Sequence, residues 1–132
     1  MTDKGLANKS VPKVPTSEEF TRTVGQVTWL MTMSKAHRGK PISYIETYVS
    51  APLMFKQVRV FLKGKQPIGA LSWAYASDEV QAKLSAGDYQ MTLQDWRSGP
   101  QVIVVDCISP FADPQIFIDE FMSQVAATKQ SN

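Results

Sequence analysis

The sequence predicts an α+β fold in which a mixed or antiparallel sheet is covered by helices. Three features lead there. Segments with helical spacing of apolar residues alternate with segments of period-two alternation. Lys63-Gly64-Lys65 joins two of the alternating segments as a hairpin. Val102-Ile103-Val104-Val105 is a near-continuous apolar run, expected of a central strand buried on both faces.

The elements follow in order. Residues 1–15 mix Lys, Ser and Asn with two prolines and few large apolar groups, and read as a disordered or extended arm ahead of a single domain over 16–128. Ser17, Glu18 and Glu19 open a helix over 17–32, along which Phe20, Val24, Val27, Leu30 and Met31 recur at helical spacing. Gly39 and Pro41 oppose its continuation, so residues 34–41 form a loop. Ser43 to Leu53 is a short second helix limited by Pro52. Phe55 to Leu62 and Pro67 to Tyr75 are the hairpin strands, and residues 78–86 a helix opened by Ser77 and stopped by Gly87. Asp95 to Pro100 is a turn. Asp113-Pro114 opens a last helix bearing Ile116, Phe117, Phe121, Met122 and Val125, and the polar tail from Thr128 is expected to fray.

Composition narrows the function classes. One cysteine, Cys107, excludes an internal disulfide framework, and one histidine leaves no Cys/His cluster for zinc, so no metal site is expected. No signal-peptide core or membrane-length apolar stretch is present, which predicts a cytoplasmic protein. The net charge of +2 is unevenly spread: residues 34–65 carry seven Lys/Arg against one Asp/Glu, while residues 66–132 carry three against eight. That basic middle third suits an acidic protein partner, or is simply a solvated face; a nucleic-acid binder would show a larger excess with exposed aromatics between the charges.

Two residues could carry acid–base chemistry. His37 lies in the polar loop beside Arg38, and an imidazole suits proton abstraction near neutral pH, although a surface histidine without a role fits the same loop. Asp106 ends the most apolar run of the chain, where a carboxylate needs a partner or water. A cap or turn at the strand exit would satisfy it, as would an imidazole that it orients. Cys107 should point away from Asp106 as a small hydrophobe, with a nucleophilic role as the lesser alternative. Ser34 flanks the histidine loop and Ser72 lies in a strand beside Trp73.

Four separated blocks then form one pattern. Gly25 to Leu30 with Ser34-Lys35-Ala36-His37-Arg38-Gly39-Lys40-Pro41-Ile42-Ser43, then Pro67 to Ala74, Asp95 to Gly99, and Asp106 to Phe111 occur in order at compatible spacing. Together they resemble the RTX-toxin-activating lysine acyltransferases of the haemolysin-activator type. The resemblance implies a Gcn5-like N-acyltransferase fold and a protein-lysine acyltransferase, with acyl carrier protein as donor and no bound cofactor. It implies the lysines of an RTX protoxin as acceptor, His37 and Asp106 as the catalytic pair, and Ser34, Arg38, Ser72 and Trp73 as substrate-binding residues. A homodimer stays open. Lys35, Lys40 and Ala112 depart from residues common in the family, and none is one of the catalytic pair. Two other readings fit these residues: a toxin-binding chaperone without turnover, and a coenzyme A-dependent N-acyltransferase acting on another amine. Against the second, no Gly-rich pyrophosphate loop is found in the sequence.

Overall fold

Thr16 begins the first helix. Its hydroxyl accepts the Glu19 backbone N–H at 3.1 Å while the Glu19 carboxylate accepts the Thr16 N–H at 2.9 Å, a reciprocal cap that starts α1 (Ser17–Met33). The computed structural model describes residues 14–131, with side chains described through Lys129, so most of the expected N-terminal arm lies outside the described residues. Val27, Leu30 and Met31 of α1 are buried against Val49, Ala70 and Ile108. After the predicted loop come α2 (Ile42–Ile45), a π-helical turn (Glu46–Ser50) and α3 (Ala51–Met54). Pro52 stands at the start of α3, where a missing N–H is tolerated, so this segment runs to Met54.

The first strand, β1 (Val58–Lys63), begins later than the alternation suggests. Phe55, Lys56 and Gln57 donate their N–H groups back to Pro52 and Leu53 carbonyls, and Lys56 takes a left-handed φ of 59° to leave the helix. β1 pairs antiparallel with β2 (Gln66–Ala76) across the two-residue turn Gly64-Lys65, where Gly64 has φ 64°. The chain continues through α4 (Asp78–Ala86), a 3₁₀ turn (Leu93–Trp96), β3 (Gln101–Ile108) and α5 (Pro114–Ser131). Asp113 caps α5 through its Oδ1, which accepts the Gln115 N–H at 2.9 Å, and α5 persists past Thr128 where fraying was expected.

The architecture is α+β, with one antiparallel sheet of order β1-β2-β3 and helices against it. The central strand is therefore β2, not the Val102–Val105 run, which belongs to the last strand in the order and is only half-buried. An apolar run reports that both faces are covered, and here they are. Val102 and Val104 pack toward α5, while Ile103 and Val105 pack toward Trp96 and Ala74. Coverage of the faces does not require a hydrogen-bonding neighbour on each side.

Two sequence blocks shared with the resembled family do structural work. Gly69 in β2 admits Phe117 of α5: a Cβ there would stand 2.6 Å from the Phe117 ring, which itself lies against Phe61 at 4.6 Å between centroids. Gly69→Ala should force that ring to shift and cost about 2 kcal/mol. Urea unfolding is expected to show a lower midpoint at unchanged slope. In the Asp95–Gly99 block, Ser98 Oγ accepts the Ser77 N–H at 3.0 Å and donates to the Asp95 carbonyl at 3.1 Å. The Ser98 and Gly99 N–H groups both donate to the Tyr75 carbonyl, at 2.7 and 3.0 Å. Trp96, fully buried, anchors this knot against the sheet.

Candidate active site

Ser34 closes α1 and opens the tight turn that carries His37. The Ser34 N–H donates to the Met31 carbonyl, and the Ser34 carbonyl accepts from His37 N–H at 3.1 Å and Arg38 N–H at 2.8 Å. This turn brings the two side chains together, with Ser34 Oγ 2.7 Å from His37 Nδ1. Both residues are buried, 6% and 7% exposed, so the pair is held rather than free in solvent.

Asp106 reaches the same place through an irregularity in β3. Ser72 pairs with Asp106 but Trp73 pairs with Val104, which leaves Val105 as the extra residue of a β-bulge. Strict alternation from Val102 and Val104 would point Asp106 toward α5. The bulge returns it to the α1 side, while Cys107 joins the cluster under α5 with Leu71 and Phe121. The Asp106 carboxylate then meets His37 Nε2 at 2.9 Å (Oδ2) and 3.2 Å (Oδ1). It also accepts the Tyr44 hydroxyl and, at 2.9 Å, the Cys107 backbone N–H.

Burial is the largest single influence on this carboxyl and pushes its pKa up. Hydrogen bonds from His37 and Tyr44, the charge attraction of His37 and the hydrogen bond from Cys107 N–H together outweigh it and hold Asp106 below the ordinary carboxylate range. An ionised Asp106 can only accept, so His37 Nε2 donates to it, and a neutral imidazole so oriented has Nδ1 left to accept from the Ser34 hydroxyl. The result is a hydroxyl–imidazole–carboxylate chain, Ser34–His37–Asp106. The Cys107 thiol is pushed up to about 11, by burial first and by Asp106 second, which keeps it protonated and poorly nucleophilic.

Among the other sequence candidates, Ser72 is buried and stands beside the carboxylate, opposite Asp106 in register. With Asp106, Val27 and Tyr48 it lines a cavity of about 10 Å³, and its Oγ has no hydrogen-bond partner among the described residues. Arg38 is exposed on the histidine turn, as are Lys35 and Lys40. Trp73 is not brought to His37: it lies on the opposite face of the sheet, against Phe121 at 4.6 Å between ring centroids. Tyr44 is the site residue that sequence reasoning missed. No local pattern marks it, because the carboxylate it meets lies 62 positions further along the chain. Among the described residues no group of three or more His, Cys, Asp and Glu gathers as a metal centre. Nor is any described helix long and apolar enough to cross a membrane.

A hydroxyl, an imidazole and a carboxylate linked in this order can relay a proton, as acyl-transfer chemistry requires. The model of the RTX toxin acyltransferase family, HlyC, matches residues 16–131, and the chain belongs to that family. It is 31% identical over 90 residues to the protein-lysine myristoyltransferase RtxC of Kingella kingae, covering 68% of this chain and 54% of that one. It is 30% identical over 90 residues to the protein-lysine myristoyltransferase HlyC of Escherichia coli, covering 68% of this chain and 53% of that one. The chain thus spans about half the length of these two relatives. An uncharacterized protein of Synechocystis is 25% identical over 118 residues, covering 88% of this chain and 80% of its own.

Proposed function

We propose that this chain is a protein-lysine N-acyltransferase that moves a fatty acyl group from an acyl carrier protein thioester to the ε-amine of lysines in an RTX protoxin. The observation that carries this reading is the contact of His37 with both Ser34 Oγ and the Asp106 carboxylate, in a member of this family. On the same reading, the bulged antiparallel sheet is the core of a Gcn5-like N-acyltransferase fold.

The chemistry follows from which groups are free. A lysine amine has a pKa of about 10.4 and reaches the site after losing one proton to solvent. Both His37 nitrogens are engaged, so the second proton passes to Ser34 Oγ as the Ser34 proton moves to Nδ1. The amine nitrogen attacks the thioester carbonyl carbon, the C–N bond forms, and the C–S bond breaks. The departing thiolate recovers the proton from His37 by the same relay, giving amide and thiol. Asp106 stabilises the imidazolium between these steps. Exposed Lys35, Arg38 and Lys40 surround the turn and suit docking of an acidic carrier protein.

The test is transfer of an isotopically heavy acyl chain from acyl carrier protein to an RTX protoxin, read by mass on lysine-containing peptides. A coenzyme A thioester serves as the competing donor. The reading expects the mass shift from the carrier-protein donor; no shift with either donor overturns it. Ser34→Ala should lower the rate roughly tenfold to a hundredfold, since loss of one proton-transfer group is partial. Complete loss, with acyl mass found on Ser34 of the wild type, would make Ser34 a nucleophile instead of a relay.

A further inference from the structure

We infer that Tyr44 is a positioning residue, a phenol that holds the Asp106 carboxylate in line with His37; the inference rests on the reading of His37 and Asp106 as the working pair. The Tyr44 hydroxyl donates to Oδ2, the same oxygen that receives His37 Nε2 most closely, while Cys107 N–H holds Oδ1. The carboxylate is therefore gripped at both oxygens before any substrate arrives. Without the phenol, rotation about the Asp106 side chain would be resisted at Oδ2 by His37 alone, and the imidazole would lose the fixed acceptor that sets its tautomer.

Tyr44 can act as a grip because it is itself held. Its ring stacks on Tyr48 with centroids 4.7 Å apart and planes at 28°. Tyr48 sits in the π-helical turn, a feature found often at functional sites. The Tyr48 hydroxyl accepts the Met91 N–H at 3.2 Å, and its ring meets the buried Trp96 edge-on at 6.2 Å. A continuous path of contacts thus runs from the knot around Trp96 through two phenol rings to the carboxylate. Among the described residues, the charged and titratable groups about Asp106 are His37 from the turn, Tyr44 and Tyr48 from the helical segment, and Cys107 beside it in β3. Lys40 lies over the outer part of this group, with Nζ 5.2 Å from the Tyr44 ring centroid.

The test compares Tyr44→Phe with Tyr48→Phe, each keeping its ring. In Tyr44→Phe the Asp106 carboxyl, followed by ¹³C NMR, should titrate at higher pH than in the wild type, because a donor to the ionised form has gone. In Tyr48→Phe, which leaves the Tyr44 hydroxyl and the stacked ring in place, it should move less than in Tyr44→Phe. With an acyl carrier protein donor, Tyr44→Phe should lower kcat about tenfold with little change in KM, the pattern of lost alignment rather than lost binding. An unmoved Asp106 titration in Tyr44→Phe overturns the inference whatever the activity. If the wild type itself transfers no acyl group, the proposed function fails, and the titration still decides whether Tyr44 grips Asp106. Should Tyr44→Phe fail to fold, the wild-type phenol decides. Tyr44 should remain protonated through the region near pH 10 where free tyrosine ionises, and ionisation there overturns the inference.

Discussion

Replacing His37 by alanine is expected to lower the rate of lysine acylation about a thousandfold while the chain stays folded. The side chain is the middle member of the Ser34–His37–Asp106 chain, and among the described residues it is the one imidazole. On the proposed mechanism, its removal leaves Asp106 without a base to orient and Ser34 without an acceptor for its proton. Because the ring is buried, truncation leaves a pocket, and added imidazole should restore part of the rate. A structural histidine whose loss merely loosened the turn would show no such rescue. Circular dichroism provides the check on folding, and initial rates by mass spectrometry the check on chemistry. Full activity in His37→Ala would remove the proposed mechanism.

Gly99→Ala is expected to have the largest effect on stability. A Cβ at this position would lie 2.6 Å from the Ala76 carbonyl oxygen and equally close to the Ser77 nitrogen and Cα. These are backbone atoms, fixed by the turn that sends Ser98 and Gly99 N–H groups to the Tyr75 carbonyl. Relief requires moving the exit of β2 or the start of β3, with a cost of about 3 kcal/mol or more. For a domain of this size that corresponds to a fall in Tm of roughly 10 °C, measured by calorimetry. Gly69→Ala should cost less, because there the obstacle is the Phe117 ring, which can shift. Similar stability of Gly99→Ala and wild type would show that the Asp95–Gly99 knot yields easily.

The two glycine substitutions also separate what the shared blocks do. Asp95 to Gly99 and Gly69 build the frame on which the site rests, whereas Ser34, His37 and Asp106 face one another. Asp95 is tied into that frame: its carboxylate accepts the Tyr89 hydroxyl at 2.5 Å and the Thr92 N–H at 2.9 Å. The block near Trp73 divides between these tasks. Ser72 faces the carboxylate, and Trp73, one residue on, faces α5 because successive strand residues alternate.

Local chemistry written along the chain determined the helices, the hairpin turn at Gly64 and the loop bearing His37, and marked Asp106 as a carboxylate in need of a partner; its pairing with His37 came from the family resemblance. Helical spacing, capping residues and glycine conformations act over a few residues and can be read without coordinates. Tertiary structure alone decided that β2 is central, since an apolar run records covered faces and not the strand's neighbours. It alone aimed Asp106, because one extra residue at Val105 reverses the side on which the following side chain emerges. It also recruited Tyr44, whose hydroxyl meets a carboxylate 62 positions away. Contacts at that separation depend on how the layers pack, and no local pattern encodes them.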